Sequence, residues 1–360
     1  MSHKRNNRRG LSRRDFLKLA GLTGAAGALG AVGGGLLSGC TPKELTTSLQ
    51  LGWIACTQYA GEFAADSKGY YTDEKLTVDI APGGPGIPPQ SLVDSRAKDI
   101  GIASSSVDSI KANIEGARLI AFASEMQRSP AGLMYIIKDP DGKPGTIIDT
   151  PEAAKGKRIG LQALILAWRV VCAKAGIDPE TDMEIVTVGF DPTPLIDGTV
   201  DAYWGFSTNQ KVILEKMGYE VGFLDAYEWG YKVPGNFVIC HQDYYKENKN
   251  LLERFTRATI KGWKYALENP GEIAHYTVDH FGEKYGLEYE NEYQQVIAET
   301  PFLKTPFTEK HGLMAVNMED WENAARILVD MGEIDKAPDI NKIATTEIID
   351  AVYKNGRIDQ

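Results

Sequence analysis

The stretch DIGIASSSVDSIKANIEG (residues 99–116) decides the fold. Its first five residues form a short apolar run of strand length, three serines follow at once, and residues 107–116 have the apolar spacing of a helix. A strand that runs directly into a helix is the repeating unit of α/β layering with mostly parallel strands. We therefore expect an α/β fold in which residues 104–106 lie where a strand ends and a helix begins.

Short apolar runs alternate with amphipathic segments on both sides of this stretch. The strands predicted in a first lobe are 49–53, 76–80, 99–103, 119–124 and 133–138. Those predicted in a second lobe are 158–162, 184–188, 201–206 and 220–224, and residues 237–240 are predicted to return to the first lobe. The remaining chain is predicted to be a helical tail, with periodic segments at 250–268, 270–281, 288–299 and 318–331.

This order predicts two hinged lobes with a cleft between them, because the chain leaves the first lobe near 137–149 and returns near 233–240. The predicted domains are a signal peptide (1–39), a tether (40–48), a first lobe with the helical tail (49–137 and 238–360) and a second lobe (138–237). Ligands of open α/β sheets bind outside the carboxyl ends of the strands, so the cleft is the expected binding site.

The N-terminal segment is predicted to be an export signal rather than part of the fold. The sequence SRRDFLK (residues 12–18) places Arg13 and Arg14 ahead of a weakly apolar, glycine-rich stretch at 19–39. This pattern resembles the twin-arginine export signal, in which a receptor recognises both guanidinium groups. It predicts that the folded protein is exported from the cytoplasm.

The glycine-rich stretch ends in LSGC (residues 37–40), which resembles the lipobox of bacterial lipoproteins. In that interpretation Cys40 receives a diacylglycerol and becomes the first residue of the mature protein. Lipid chains add about 0.8 kcal/mol per buried CH₂, so two or three chains hold a protein at the bilayer. The predicted location is the extracytoplasmic face of the cell membrane; the alternative is an uncleaved anchor in which the cysteine is incidental.

The net charge of the chain limits the kinds of molecule that it can bind. The whole chain has a formal net charge of -10, and residues 1–39 carry seven Lys or Arg and one Asp, so the mature chain has a charge of about -16. An acidic protein repels nucleic acid and anionic lipid, whereas small neutral ligands are unrestricted. We expect a small-molecule ligand and no nucleic-acid partner.

The chain has four cysteines, Cys40, Cys56, Cys172 and Cys240, and none of them lies in a CxxC or Cys/His cluster. This spacing indicates neither a zinc site nor a disulfide framework. Buried free thiols are the favoured interpretation for the last three, and one disulfide between two of them is the alternative.

Several short segments of the mature chain together resemble one protein superfamily. They are LGW (51–53), GYYTDEKL (69–76), PGGPG (82–86), DIGI (99–102), KGKRIG (155–160) and VDAY (200–203). Over residues 49–270 the chain is similar to the binding proteins of ABC importers for nitrate, sulfonates, thiamine-pyrimidine precursors and riboflavin. The turn at 82–86 and residues 208–210 are most similar to the riboflavin or thiamine-pyrimidine branch.

The resemblance implies a type II periplasmic-binding-protein fold, two Rossmann-like lobes that close over one ligand, and an ABC permease and its ATPase as partners. The chain departs from the thiamine-pyrimidine pattern after its first strand, where Gln58 and Tyr59 replace the Asn and His of that branch. The yeast-type pyrimidine synthase of the same superfamily needs a cysteine cluster and an active-site His that this sequence lacks. We therefore expect no enzymatic activity and no cofactor.

The residues expected to bind the ligand lie after predicted strands, and most of them are uncharged. They are Trp53, Gln58, Tyr59, Ser104, Ser105, Ser106, Gln127, Ser129, Gln162, Trp204, Asn209 and Tyr227. Aromatic walls with amide and hydroxyl edges suit a planar heteroaromatic ligand. Riboflavin is the favoured ligand and thiamine pyrimidine the next. Each aromatic residue is alternatively part of a lobe core, and one of the three serines is expected to cap a helix.

Two other functions stay open at this point. A receptor for nitrate, a sulfonate or taurine would use cations, for which Arg128, Arg169 and Lys211 are the candidates. An exported enzyme would need a metal, nucleotide or nucleophile motif, and none is present. His275 and His280 are five residues apart on a predicted helix and do not share a face.

Overall fold

The structure, a computed structural model, describes residues 44–84, 86–162 and 165–355. Arg13, Arg14 and Cys40 lie outside the described residues. None of the helices among the described residues is long and apolar enough to cross a membrane.

The first lobe is built on a five-stranded mixed sheet. Its strands are β1 (Leu45–Gln50), β2 (Leu76–Ala81), β3 (Ile100–Ala103), β4 (Leu119–Ser124) and β10 (Phe237–His241), numbered in chain order. They lie in the order β2-β1-β3-β10-β4. Strand β1 is parallel to β2 and β3, whereas β10 is antiparallel to β3 and β4. Every residue of β3, β4 and β10 is buried because helices cover both faces of the sheet.

The second lobe has a second five-stranded sheet with the same arrangement. Its strands are β5 (Ala131–Lys138), β6 (Arg158–Leu161), β7 (Glu184–Thr187), β8 (Ala202–Phe206) and β9 (Glu220–Asp225). They lie in the order β7-β6-β8-β5-β9, with β5 antiparallel to both of its neighbours. The predicted two-lobed α/β architecture is therefore confirmed. In each sheet the fourth strand comes from the chain that has just crossed from the other lobe.

Helices connect the strands and form the tail. Those in the two lobes are α1 (Ala60–Ser67), α2 (Tyr70–Asp73), α3 (Pro89–Asp94), α4 (Ser106–Ile114), α5 (Leu166–Lys174), α6 (Thr193–Ile196) and α7 (Gln210–Lys216). Those after the return strand are α8 (Gln242–Glu247), α9 (Lys249–Glu268), α10 (Pro270–Thr277), α11 (Glu283–Tyr285), α12 (Tyr289–Leu303), α13 (Pro306–His311), α14 (Met318–Asp330) and α15 (Glu347–Asn355). Three single turns among the described residues are 3₁₀-helical, at Thr57–Tyr59, Pro151–Ala154 and Ile340–Lys342.

Two predicted boundaries are wrong. Residues 133–138 were predicted in the first lobe, but β5 pairs with β8 and β9 of the second sheet, so the chain crosses before Ala131 and not near 137–149. An apolar run does not indicate which sheet accepts it, because the partners are distant in sequence. The first strand begins at Leu45, inside the predicted tether. Within this strand, the backbone N–H and the hydroxyl of Ser48 both donate hydrogen bonds to Asp99, at 2.9 Å.

The two segments that cross between the lobes lie side by side. The backbone N–H groups of Glu125 and Met126 both donate to the carbonyl of Asn236, at 2.8 and 3.1 Å, and Gly235 donates back to Met126 at 3.0 Å. A β-carbon at Gly235 would lie 2.6 Å from the carbonyl oxygen of Arg128, so only glycine permits this approach. The crossings therefore form a short antiparallel pair.

The helical tail packs on the first lobe. Helix α9 lies against α1, where a β-carbon at Gly262 would be 2.0 Å from the carbonyl oxygen of Gly61. Trp321 of α14 contacts Phe237 of β10 edge to face, with 4.8 Å between ring centroids. The second lobe also contains a small hydrophobic core that is separate from the main one.

Three carboxyl groups, those of Glu62, Glu125 and Glu299, are buried where the crossing segments meet α1 and α12. Burial raises the pKa of Glu62 and Glu299 well above the ordinary value, and it raises the pKa of Glu125 to about 7. Gln295 donates to Glu299 at 2.9 Å, and no ion pair to a cation is present for these three groups within the described residues. The cluster is therefore stable in its protonated form.

The stability of the protein should decrease between pH 5 and pH 8. Unfolded glutamates release their protons near pH 4.3, whereas the folded cluster keeps them until its higher pKa values are reached. The folded state then binds more protons than the unfolded state, so each retained proton lowers the free energy of unfolding by about 1.4 kcal/mol per pH unit in this window. Glu125→Gln should reduce this slope in denaturant unfolding measured at several pH values.

Glu115→Gln is the matched control, since Glu115 is exposed. Burial also raises the pKa of Asp320 to about 6, and Asp320 contributes equally to the slope of stability against pH in the Glu125→Gln and Glu115→Gln variants. The readout is therefore the difference in slope between the variants. Equal slopes would contradict the assignment to the buried cluster.

Candidate functional site

A cavity of about 250 Å³ lies between the two sheets, at the carboxyl ends of their strands. The first lobe contributes Gly52, Trp53, Gln58 and Ser104. The second lobe contributes Gln162, Ile165, Phe190, Trp204, Gly205, Phe206, Asn209 and Gln210. None of these described lining residues has a charged side chain.

Aromatic side chains from both lobes contact each other in the lining of this cavity. The rings of Trp53 and Phe190 meet edge to face with 4.5 Å between their centroids. Phe190 is 45 % exposed and Trp53 is half-buried, so both have surface available to a ligand. Trp204 is 5 % exposed and packs on Trp168, with 6.1 Å between centroids, and thus belongs partly to the core of its lobe.

Amide side chains supply the polar edges. The amide of Gln162 donates to the hydroxyl of Tyr203 at 3.3 Å and to the carbonyl of Trp204 at 3.2 Å. The amide of Gln58 donates to Asn236 at 3.3 Å. Among the described residues no donor is bonded to the side-chain carbonyl oxygens of Gln58 and Gln162, which leaves these acceptors for a ligand.

The turn after β2 supports the aromatic wall of the first lobe. The N–H of Gly83 donates to the carbonyl of Trp53 at 2.8 Å, and a β-carbon at Gly83 would lie 2.2 Å from the carbonyl oxygen of Leu51. Glycine is required here because the two backbones approach so closely. The turn at 82–86 thus holds the end of β1 in place.

The three serines after β3 have different roles. Ser104 is exposed and lines the cavity. The hydroxyl of Ser105 accepts from the N–H of Asp108 at 3.3 Å and so caps α4. Ser106 is fully buried and lies outside the cavity lining.

Six of the predicted ligand residues line this cavity, namely Trp53, Gln58, Ser104, Gln162, Trp204 and Asn209. Tyr59 is fully buried behind Gln58. Ser129 lines a neighbouring cavity, and Gln127 and Tyr227 line a separate one near the crossing segments, so these three do not belong to the central site. The lining of the central cavity therefore excludes six of the residues predicted to bind the ligand, and their contact with the ligand stays a prediction: Tyr59, Ser105, Ser106, Gln127, Ser129 and Tyr227.

Sequence reasoning missed Phe190 and Gln210 as lining residues. Phe190 lies three residues after the end of β7, so its position after a strand was an available signal. Gln210 begins α7, and its side-chain oxygen accepts from the N–H of Phe206 at 2.9 Å. This contact orients the end of β8 toward the cavity.

The cations considered for anion binding are paired with carboxylates. Arg128 donates to Asp225 at 2.8 Å, Arg169 is paired with Glu333, and Lys211 is paired with Glu215. None of the three lines the central cavity. The cavity therefore offers an anion no charge to neutralise it.

The lobes contact each other on both sides of the cleft. On one side Glu333, which follows α14, binds Lys111 of the first lobe at 2.7 Å and also pairs with Arg169 of the second lobe. These two cations hold the pKa of Glu333 below its ordinary value. On the other side Asn209 donates to Gln295 of α12 at 2.8 Å. In the described conformation these contacts join the lobes on both sides of the cleft.

The thiols and the metal-ligating side chains add no further site. Cys56, Cys172 and Cys240 are free and buried. Within the described ranges no group of three or more His, Cys, Asp or Glu residues is arranged to hold a metal ion.

Comparison with known proteins gives two family matches. The family model described as NMT1/THI5 like matches residues 56–273, and the model of the TAT (twin-arginine translocation) pathway signal sequence matches residues 10–30. The second match indicates export from the cytoplasm.

Among curated proteins, the formylaminopyrimidine-binding protein of Halalkalibacterium halodurans is 26% identical over 234 residues, which are 63% of this chain and 68% of that protein. The riboflavin-binding protein RibY of Chloroflexus aurantiacus is 22% identical over 313 residues, covering 86% of this chain and 87% of its own length. The crystal structure of the periplasmic aliphatic sulphonate binding protein SsuA from Escherichia coli aligns with a TM-score of 0.62 at 16% identity, over 84% of this chain and 92% of that one. This similarity confirms the predicted periplasmic-binding-protein fold.

Arg169→Gln should shift the lobes toward a more open arrangement. The substitution removes the second lobe's ion pair with Glu333 and leaves Lys111 bound. Partly exposed pairs contribute about 0.2–1 kcal/mol, so the ratio of closed to open molecules should fall by up to about 5-fold. Spin labels introduced by Glu115→Cys and Glu180→Cys, one in each lobe, report the inter-lobe distance distribution.

Lys211→Gln is the matched control, because the pair of Lys211 with Glu215 lies within α7 and joins no two lobes. The three native cysteines of the described chain are buried and should remain unlabelled. Identical distance distributions for wild type and Arg169→Gln would refute a closing role of this pair.

Proposed function

Because the chain belongs to the NMT1/THI5-like family, we propose that it is the extracytoplasmic solute-binding component of an ABC importer. Its ligand is a planar heteroaromatic vitamin or vitamin precursor, with riboflavin favoured and thiamine pyrimidine next. The protein delivers this ligand to the permease, whose ATPase drives import. The curated relatives named as binding riboflavin and formylaminopyrimidine support this ligand class.

The observation that carries the proposal is the neutral, aromatic lining of the central cavity. Trp53 and Phe190 offer ring surfaces from opposite lobes, and Trp204 and Phe206 complete the apolar wall. Stacked aromatic rings add about 0.5–1.5 kcal/mol per pair beyond the burial of their area. The carbonyl oxygens of Gln58 and Gln162 suit N–H donors, which a flavin has on its ring and an aminopyrimidine has on its exocyclic amino group.

A nitrate, sulfonate or taurine receptor is the alternative within this fold. Such anions are bound by charged or strongly polar donors. Arg128, Arg169 and Lys211 are each engaged by a carboxylate, and the lining supplies no other charged side chain among the described residues. The geometry therefore favours a neutral ligand over a small anion.

An exported enzyme is the alternative of another class. General acid–base catalysis needs a titratable group within hydrogen-bond reach of the substrate. The described lining of the central cavity has amides, aromatic rings and the Ser104 hydroxyl, without His, Cys, Asp, Glu or Lys. This composition supports binding without turnover.

The proposed location is the outer face of the cell membrane. Cleavage before Cys40 and its lipidation would leave a tether of residues 40–44, since β1 begins at Leu45. The tether is shorter than the sequence predicted, and the first lobe would lie close to the bilayer.

Riboflavin should bind to the purified protein, whereas nitrate and taurine should not. Isothermal titration with riboflavin, an aminopyrimidine, nitrate and taurine measures this directly, and yellow co-purifying material with flavin absorbance would support the first of them. Trp53→Leu should weaken the binding of riboflavin about 10-fold, because one stacked ring and its apolar area are lost.

Tyr227→Leu is the control, since Tyr227 lies in a separate cavity and its loss should leave the affinity unchanged. Binding of taurine or nitrate alone would overturn the vitamin assignment. Conversion of a bound compound into a product would overturn the assignment as a binding protein.

Cys40→Ser should abolish the incorporation of a labelled fatty acid into the protein, because the thiol that receives the diacylglycerol is missing. The acyl chains that hold the protein at the bilayer would be missing, and each buried CH₂ contributes about 0.8 kcal/mol. Replacing both Arg13 and Arg14 by Lys should instead retain the precursor in the cytoplasm. Fatty-acid labelling measures the first result, and cell fractionation with immunoblotting measures the second. A wild-type protein that incorporates no labelled fatty acid would refute lipid anchoring.

A further inference from the structure

Three adjoining cavities of the cleft are lined by described residues, and the central one, the ring cavity, has been described. A second cavity of about 410 Å³, the serine flank, shares four lining residues with it, namely Ser104, Ile165, Trp204 and Phe206. A third cavity of about 300 Å³, the acidic flank, shares Trp53, Phe190, Asn209 and Gln210. A ligand in the ring cavity can therefore extend to either side.

The ring cavity alone is small for a whole vitamin. Small-molecule sites usually measure about 300–1,000 Å³. At about 250 Å³ the ring cavity lies below this range, whereas the ring cavity together with one flank lies within it. A ring system with a substituent chain would thus occupy the ring cavity and one flank.

The serine flank is rich in hydrogen-bonding groups and has no excess charge. Its polar lining consists of Ser104, Ser105, Ser129, Tyr231, Asp108, Lys111, Arg169 and Glu333. Ser105 and Ser129 each accept one backbone N–H, at 3.3 Å, and each keeps its own hydroxyl proton to donate. The two cations are balanced by two carboxylates, and Glu333 already binds both Lys111 and Arg169.

The acidic flank has a different chemistry. Its ionisable lining residues include Asp191, Glu288 and Glu292, and no Lys, Arg or His lines it among the described residues. The carboxylate of Glu292 accepts the N–H of Thr57 at 2.7 Å, so this group is already bound. Thr208 and Asn291 also supply donors here, so this flank differs from the serine flank in that no cation among its described lining residues balances its carboxylates, which accept hydrogen bonds and do not donate them.

We propose that the serine flank binds an uncharged, polyhydroxylated chain attached to the ring system that occupies the ring cavity. Hydroxyl groups both donate and accept, and they match the mixed donors and acceptors of this flank. An anionic chain would have to compete with Glu333 for Lys111 and Arg169, and it would approach Asp108 as well. This inference rests on the proposed function and narrows the ligand class to a heteroaromatic ring with a neutral polyol chain.

Three flavins test the inference with the unmodified protein. Riboflavin has the ribityl chain, lumiflavin has a methyl group in its place, and riboflavin 5′-phosphate adds an anionic end to the chain. Riboflavin should bind at least 10-fold tighter than lumiflavin, and the phosphate should bind no tighter than riboflavin, as measured by isothermal titration.

Ser129→Ala, in a residue that lines the serine flank but not the ring cavity, should weaken riboflavin binding about 5-fold, the effect of one lost hydrogen bond, and leave lumiflavin binding unchanged. Asp191→Asn, on the acidic flank, is the matched control and should leave the ratio of the two affinities unchanged. Because the ratio in the wild-type protein needs no variant, the test holds even where a variant folds poorly.

Equal affinity for riboflavin and lumiflavin would overturn this inference and leave the proposed function intact. Tighter binding of riboflavin 5′-phosphate would also overturn it, since the flank would then be an anion subsite. Binding of neither riboflavin nor lumiflavin, with binding of taurine or nitrate, would overturn the proposed function and this inference together.

Discussion

The paired crossing segments are the constraint on which the rest of the structure depends. Glu125 and Met126 share the carbonyl of Asn236, and Gly235 bonds back to Met126. Because the two crossings run in opposite directions, each delivers an antiparallel strand into the fourth position of the sheet that it enters. The carboxyl ends of the parallel strands of both lobes then face one cleft. A single pair of backbone segments thus fixes the number of lobes, the order of their strands and the place of the ligand.

The same region concentrates buried acids, which is unusual in a chain of net charge -10. Glu125 begins the first crossing, and Glu62 and Glu299 reach it from α1 and α12. Isolated carboxylates are costly to bury, so the protonated form is the one that the fold accepts. The crossing segments are therefore bordered by carboxyl groups whose charge depends on pH, whereas the lining of the central cavity has no charged side chain among the described residues.

The central cavity and the contacts that join the lobes differ in charge. The ring cavity is lined by aromatic and amide groups, whereas ion pairs such as that of Arg169 with Glu333 lie at its sides and join the lobes. A neutral lining selects the ligand by shape and hydrogen bonding, and the outer pairs bias the position of the lobes. The fold is shared with a sulphonate-binding protein although no charged side chain lines this cavity among the described residues, because the fold positions the side chains and the side chains select a ligand.

The sequence by itself determined the local elements. The period of the apolar runs gave β4 at 119–124 without error, and the serines after β3 indicated a capped helix, because such signals depend on neighbours within a few residues. Only the tertiary structure decided which sheet receives β5, which of the predicted ligand residues meet in one cavity, and which carboxylate binds each cation. These pairings join residues up to 222 positions apart, as in Lys111 and Glu333, and no local pattern records them. Gln127 and Tyr227 follow strands just as Trp53 and Gln162 do, yet they line another cavity. The path of the chain between the lobes decides which cavity a residue lines, and no local sequence pattern indicates this path.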